Sequence, residues 1–169
     1  MVLVAGVLFQ ALIGGVLDPK AAFSFRKVEY FQRFSKGEMQ EYTPKGQTDL
    51  NKWTDMVTVN KYKQVKDGEG LASVANQVLE TYKANKAIVV RTNSVPRTAT
   101  KEAEHLVVVL FPRPTFIEAA FTRFVMVGGV GTSVVYSHRI YSKKAGDAMS
   151  AWLKKNGEAV EKEVFGFRL

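Results

Sequence analysis

Residues 116–141 read FIEAAFTRFVMVGGVGTSVVYSHRIY, and this stretch indicates how the sheet of the fold is built. Two runs rich in β-branched and aromatic residues, 116–127 and 132–141, flank the glycine-rich residues 128–131. Such runs favour strands, and glycine readily takes the positive φ of a tight hairpin turn. The pattern therefore predicts an antiparallel hairpin. A phosphate-binding loop is not indicated, because neither a helix pattern nor a Lys-Ser/Thr pair follows the glycines.

Further strands are predicted on the N-terminal side of this hairpin. Residues 104–111 read EHLVVVLF and extend the hairpin to a three-stranded antiparallel meander. Shorter strands are predicted at residues 39–42, 53–62 and 87–92. Residues 23–34 read FSFRKVEYFQRF and fit both helical and strand spacing, so both alternatives stay open.

Two helices complete the predicted fold. Apolar residues recur at helical spacing over residues 68–84, directly after the candidate N-cap Asp67. A second amphipathic helix is predicted from about Ala145, and Asn156–Gly157 is predicted to break or cap it. Antiparallel strands with separate helices predict an α+β fold: a single mostly antiparallel sheet packed by two amphipathic helices in an α/β/α-type sandwich.

The first 22 residues form an apolar N-terminal segment, and residues 23–169 are predicted to be a single α+β domain. Residues 1–17 contain no charged side chain. Their length suits the core of a signal peptide but is short of the roughly 20 residues of a membrane helix. No Lys or Arg precedes the apolar run, and no small-x-small cleavage pattern follows it. A targeting segment and a buried core element therefore both stay open.

The composition excludes some chemistry and favours acidic partners. The chain of 169 residues has a net charge of +8 and no cysteine, which excludes disulfides, thiol catalysis and cysteine-based metal sites. The positive charge favours nucleic acid or another polyanion, but no run of five like charges marks a basic arm. Phe116, Phe121 and Phe124 surround Arg123 without an RNP-type motif, so these aromatic residues are predicted to fill the core.

Neither histidine belongs to a catalytic or metal-binding motif. His105 begins a predicted strand, and His138 lies in the sequence Tyr-Ser-His-Arg at residues 136–139. Zinc sites need three or four converging ligands, and the chain has no HExxH pair and no G-x-S-x-G elbow. No metal, cofactor or catalytic residue is predicted.

The leading candidate for a polar contact is the predicted loop around Asn93, Ser94 and Pro96. Arg91 and Arg97 flank this loop, and two guanidinium groups could hold a carboxylate or phosphate in bidentate fashion. The alternative is an ordinary solvated loop. Trp53 is predicted to be either a core anchor or an interface hot spot. The candidate binding residues are Arg91, Asn93, Arg97, Trp53, His138 and Arg139.

Three short segments carry a resemblance to a protein family. Residues 41–47 read EYTPKGQ, residues 53–58 read WTDMVT, and residues 137–141 read SHRIY, followed by Met149 and Trp152. This pattern resembles small uncharacterised proteins of Gram-negative bacteria, many of them exported, over most of residues 38–156. The order of elements is also similar to the PsbP-type sandwich, a fold of small accessory and interaction proteins.

The resemblance implies a non-enzymatic accessory or binding protein of the bacterial cell envelope, in the periplasm or secreted, which acts through protein or small-ligand contacts. A cytoplasmic location is the alternative if residues 1–17 belong to the core. The expected partner is a protein or an anionic ligand, and no transmembrane span is predicted. Two other hypotheses are kept: a basic protein that binds nucleic acid or another polyanion, and a small hydrolase that uses His138 or His105.

Overall fold

The computed structural model describes residues 20–168, which form one eight-stranded antiparallel sheet and two helices. The predicted α+β class is therefore confirmed. In chain order the elements are β1 (Phe23–Phe25), β2 (Val28–Lys36), β3 (Met39–Pro44), β4 (Asp55–Tyr62), α1 (Gly68–Ala84), β5 (Ile88–Val95), β6 (Glu104–Pro112), β7 (Ile117–Val127), β8 (Val130–Ile140) and α2 (Ala145–Gly166).

The sheet has the strand order β1-β2-β3-β4-β8-β7-β6-β5. The predicted meander is confirmed, since β6, β7 and β8 pair consecutively and antiparallel. Gly128 and Gly129 make the β7–β8 turn with φ of 56° and 75°. Gly131, predicted to be part of that turn, lies in β8 instead. A Cβ atom at Gly131 would come within 2.5 Å of Val65, so close packing rather than a turn requires glycine there.

The open alternative at residues 23–34 is settled in favour of strands. β1 and β2 form a hairpin whose turn residues, Arg26 and Lys27, have φ of 52° and 62°. Non-glycine residues at positive φ cost about 1–2 kcal/mol each, so packing against the rest of the fold must hold this turn. The sequence has no Gly or Asn at the turn, so no local signal favours the hairpin over the helical alternative.

α1 has the bounds that the sequence predicted. Asp67 is its N-cap, because the Asp67 carboxylate accepts a hydrogen bond of 2.8 Å from the backbone N–H of Gly70. The helix ends at Ala84, where Lys86 takes a positive φ of 65°.

The predicted break of the second helix is wrong. α2 continues through Asn156 and Gly157 to Gly166. The Asn156 side chain donates to the carbonyl oxygen of Trp152, 2.9 Å away, while Val160 and Val164 are fully buried one and two turns later. Burial of these two valines outweighs the cost of about 1 kcal/mol for glycine inside a helix.

Two hydrophobic clusters lie on opposite faces of the sheet, as alternate residues of β6 show. Leu106 and Val108 belong to the cluster that contains the α2 residues Met149, Val160 and Val164. On the other face, Val107 and Val109 belong to the cluster with these α1 residues: Leu71, Val74, Ala75, Val78 and Tyr82. Phe121 and Phe124 are fully buried in these clusters, which confirms their predicted core role.

Two predicted boundaries need correction. β4 begins at Asp55 rather than Trp53. β5 continues to Val95, so the loop predicted at Asn93 and Ser94 is wrong. Pairing of these two residues with Leu106 and His105 of β6 keeps the backbone extended. The alternatives for residues 1–17 lie outside the described residues.

Candidate functional site

Three connections meet at one end of the sheet, which we call the Trp53 end: residues 45–54 between β3 and β4, residues 113–116 between β6 and β7, and residues 141–144 between β8 and α2. The register brings them together. Asp55 at the start of β4 lies opposite His138, and Ile117 at the start of β7 lies opposite Ile140. Segments that are far apart in sequence therefore share one surface.

Gln47 fixes the long β3–β4 connection. Its side-chain oxygen accepts hydrogen bonds from the backbone N–H groups of Thr54 and Asp55, at 2.8 and 3.1 Å. Residues at the end of β8 and directly after it hold the same connection. The backbone N–H of Arg139 donates to the Thr54 carbonyl at 2.8 Å, and the Tyr141 hydroxyl donates to the Trp53 carbonyl at 2.9 Å. This anchoring positions the side chains of Trp53 and Asp55.

Asp55 is the centre of a hydrogen-bonded group on the α2 face of the sheet. One carboxylate oxygen accepts from the Tyr136 hydroxyl at 2.7 Å and contacts His138 Nδ1 at 3.0 Å. The other oxygen accepts from Thr54 Oγ1 at 2.8 Å. Burial raises the pKa of Asp55, but the hydrogen bonds from His138, Tyr136 and Thr54 together outweigh burial and lower it below its usual value.

The His138 and Tyr136 rings of this group are each held by a neighbouring side chain. His138 stacks on Trp152 of α2, with ring centres 4.1 Å apart and an angle of 9° between the planes. Burial and the nearby Asp55 carboxylate raise the pKa of Tyr136 far above its usual value, so its phenol stays protonated and donates to Asp55. The His138 side chain is 16% exposed, so part of it is open to solvent.

Arg139 lies on the opposite, α1 face of the same end. Its guanidinium carbon is 3.7 Å from the ring centre of Trp53 and 4.3 Å from that of Phe116. Arg139 Nε also donates to Glu118 at 2.9 Å, and both side chains are nearly buried. This combination of a buried ion pair and two cation–π contacts holds the Trp53 ring in place. Burial, and to a smaller degree the Glu118 carboxylate, raises the pKa of nearby Glu41, while Arg139 opposes this shift.

The structure places three of the candidate binding residues at the Trp53 end and the other three elsewhere. Arg139 contacts Trp53 on the α1 face, whereas His138 lies on the α2 face. Trp53 is 4% exposed and acts as a core anchor. Arg91 and Asn93 lie on β5, and β6 and β7 separate that strand from β8.

The two guanidinium groups of the predicted anion site have separate partners. Arg91 pairs with Glu161 of α2 at 3.1 Å, whereas Arg97 pairs with Glu102 at 3.6 Å. Each arginine therefore faces a carboxylate on a different segment, and the bidentate anion site stays a prediction. His105 also lies on this side of the sheet, where its Nδ1 is 2.9 Å from the Ser94 hydroxyl, and burial lowers its pKa.

Sequence reasoning missed several residues of the Trp53 end. Those with a direct role in its bonding are Gln47, Asp55, Glu118, Tyr136 and Trp152. Three of them, Gln47, Asp55 and Trp152, belong to the segments that carried the family resemblance. That shared membership was the available signal, but nothing in the sequence shows that residues 83 positions apart form a pair, as His138 and Asp55 do.

Residues 20–168 contain neither a membrane-spanning helix nor a cluster of metal ligands. No helix there combines the length and hydrophobicity needed to cross a membrane. Nor do three His, Asp or Glu side chains in that range converge as metal ligands would.

Comparison with known proteins gives a family but no activity. A family model that describes uncharacterised bacterial proteins matches residues 17–166. No curated protein matches the chain. The solved structure of the Ran-binding protein Mog1p from Saccharomyces cerevisiae is 8% identical with a TM-score of 0.48, and the alignment covers 80% of this chain and 84% of Mog1p. Human STARD10 is 8% identical with a TM-score of 0.35, over 81% of this chain and 71% of STARD10.

Proposed function

We propose that this chain, which belongs to an uncharacterised family of bacterial proteins, is a non-enzymatic binding protein of the cell envelope. Its binding surface is the Trp53 end of the sheet, and its partner there is an acidic protein segment. One observation carries the proposal. The three segments of the family resemblance, residues 41–47, 53–58 and 137–141 with Trp152, come together at this end of the sheet.

The chemistry of the cluster supports binding rather than catalysis. Both oxygens of Asp55 accept hydrogen bonds from neighbouring side chains, and its pKa is lowered, so Asp55 is a weak proton acceptor. Tyr136 is held protonated, and Arg139 is held between two aromatic rings. Side chains that are fixed by internal hydrogen bonds and ring contacts favour binding, because they keep the same geometry in the free and bound states and lose little conformational entropy.

The charge around the cluster supports an acidic partner. Exposed lysines lie in the two connections next to it and at the start of α2: Lys45, Lys52, Lys143 and Lys144. Asp49 and Asp147 are the exposed acidic residues of the same segments, so the lysines dominate locally. The stacked rings of His138 and Trp152 add a polar and an aromatic group at the same end of the sheet. Exposed cations near such groups attract carboxylates and orient them.

Charge reversal of one basic doublet tests the site. We expect K143E/K144E to weaken binding of a fluorescein-labelled oligoglutamate peptide at least ~10-fold in fluorescence anisotropy at low salt, which corresponds to about 1.4 kcal/mol. The matched control is K154E/K155E, which makes the same change in net charge on exposed residues of α2. This control should bind the peptide almost as the unmodified protein does.

Other outcomes would contradict the proposal. Equal losses in the two variants would show attraction to net charge alone rather than a site. Tighter binding of a single-stranded DNA oligonucleotide than of the peptide, with a steep dependence on salt, would favour the polyanion hypothesis instead.

The location in the envelope has separate support. It rests on the uncharged residues 1–17 and on the resemblance to exported proteins. We expect the intact mass of the protein from its native host to show a shortened N-terminus in the periplasmic or secreted fraction. A full-length chain in the cytoplasm would contradict this location without affecting the proposed acidic partner.

A further inference from the structure

β5 forms an open edge of the sheet. All eight of its residues are exposed, although the strand begins IVVR and contains four large aliphatic side chains. Their exposed fractions are 56% for Ile88, 39% for Val89, 48% for Val90 and 37% for Val95. One side of the strand pairs with β6, and the strand order places no described strand on its other side. A long apolar edge of this kind is a template for another strand.

The opposite edge of the sheet is protected. β1 has only three residues, and the rings of Phe23 and Phe25 pack against Phe167 beyond the end of α2. Short edge strands covered by other segments resist pairing with a further strand. The two edges thus differ, and among the strands of residues 20–168 only β5 offers a long exposed edge.

A β-bulge determines which face each β5 residue occupies. The register with β6 shifts between Val89 and Arg91, which leaves Val90 as the additional residue. Directly paired residues share a face. Consequently one face, the α2 side, carries Ile88, Arg91, Asn93 and Val95, opposite Leu110, Val108, Leu106 and Glu104 of β6. The other face carries Val89, Thr92 and Ser94.

This arrangement of faces is symmetric about Thr92. If two β5 strands pair antiparallel with Thr92 opposite Thr92 of the second copy, Arg91 lies opposite Asn93. Beyond the bulged Val90, Val89 lies opposite Ser94, and Ile88 lies opposite Val95. Both members of every pair then belong to the same face of the sheet. The bulge at Val90 only shifts the pairing by one residue on that side of Thr92. β6 shows that β5 keeps its faces in register with an unbulged segment, which is what residues 93–95 of the second copy supply opposite Val90.

We propose that β5 is a homodimer interface, in which a second copy of this chain continues the sheet through an antiparallel β5–β5 pair centred on Thr92. The apolar pairs at the two ends join Ile88 of each copy to Val95 of the other, which removes exposed aliphatic surface from water twice. No two like charges face each other across the axis. Arg91, the one charged residue of β5, faces an asparagine and keeps its own partner, Glu161. The dimer joins the eight-stranded sheets of two copies.

A single cysteine tests both the dimer and its register. The chain has no cysteine of its own, so Thr92→Cys introduces one reactive thiol in each copy. Directly opposed residues of an antiparallel pair have Cα atoms about 4.5–5.5 Å apart, within the range of about 4.4–6.8 Å that a disulfide spans. We expect mild oxidation to convert T92C almost completely to a covalent dimer. The control S94C should stay largely monomeric on a non-reducing gel, because Ser94 faces Val89 of the other copy.

Charge variants at the same position test the contact without a covalent bond. Light scattering after size exclusion should show a dimer for the unmodified protein and monomers for T92K and for T92E, because each variant places like charges on the axis. An equimolar mixture of T92K and T92E should restore the dimer. A monomeric unmodified protein at ~100 µM, dimers that persist in T92K, or equal crosslinking of T92C and S94C would each overturn the proposal. Circular dichroism confirms that the variants are folded, and an unfolded T92K leaves the crosslinking result to decide.

Discussion

Replacement of Arg123 by methionine is expected to lower the free energy of unfolding by about 3–5 kcal/mol. Arg123 Nε donates to Glu104 at 2.6 Å, and the two side chains are 3% and 2% exposed. Arg123 Nη1 also donates to the carbonyl oxygens of Val164 and Phe167, at 3.1 and 2.8 Å. The substitution would leave a buried carboxylate without its main partner and free the C-terminal end of α2. Urea unfolding at neutral pH measures the effect.

Two control variants separate this pair from ordinary surface charges. In R123M the Glu104 carboxylate keeps the exposed Lys101 but loses its buried partner. In R123M/E104Q that buried charge is gone, so we expect much of the lost stability to return. Arg97→Met breaks an exposed ion pair with Glu102, of 3.6 Å, and should cost no more than about 0.5 kcal/mol. A loss below ~1 kcal/mol in R123M would contradict the assignment of Arg123 as the link between β6, β7 and α2.

Replacement of Asp55 by asparagine is expected to lower the free energy of unfolding by about 1–3 kcal/mol at pH 7. The variant keeps the shape of the side chain but loses the charge that accepts from Tyr136, His138 and Thr54. The same change should loosen the orientation of the His138 ring. The proposed function therefore predicts weaker binding of the oligoglutamate peptide by D55N as well.

The stability difference between the unmodified protein and D55N should depend on pH with a definite sign. The folded protein lowers the pKa of Asp55 below the ordinary value of about 3.9, so the unfolded chain takes up the proton first as pH falls. The stabilising contribution is fully present above about pH 4 and disappears as the pH falls through the lowered pKa. Urea unfolding should show that the difference in the free energy of unfolding between the unmodified protein and D55N is large at pH 7 and smaller at pH 3.

Asp49 provides the matched control for this experiment. It lies in the connection that leads into Asp55, is exposed, and accepts a hydrogen bond of 2.9 Å from the backbone N–H of Asn51. Asp49→Asn should change stability by a few tenths of a kcal/mol, because an exposed local bond contributes little. A D55N difference that persists undiminished at pH 3 would show that packing, rather than the carboxylate charge, causes the effect.

The proposed site and the proposed dimer interface lie on different strands and can be tested independently. The Trp53 end is built around β4 and β8, near the middle of the strand order, whereas β5 lies at one edge. T92K should therefore leave the affinity for the oligoglutamate peptide unchanged, and K143E/K144E should leave the dimer intact. Two copies joined through β5 would present two Trp53 ends on one molecule, which increases avidity for a partner with repeated acidic segments.

Local signals in the sequence determined the elements whose stabilising contacts are close in the chain. The bounds of α1 follow from its apolar spacing and from Asp67, and the β7–β8 hairpin follows from Gly128 and Gly129. In both cases the residues that carry the signal lie within a few positions of the structure they specify. The α+β class followed for the same reason, because it depends on the type and order of elements rather than on their exact contacts.

Tertiary structure decided what depends on residues far apart in the sequence. β4 pairs with the distant strand β8 and not with β5, the next strand in the sequence. This pairing alone brings Asp55 to Tyr136 and His138. Packing of Val160 and Val164 in the core stabilises α2 beyond Gly157. Pairing with β6 extended β5 through the predicted loop, and so separated Arg91 and Asn93 from the Trp53 end. In each case, burial of side chains and pairing of strands that are distant in the sequence supply the stabilising free energy. Local propensity does not include these contributions.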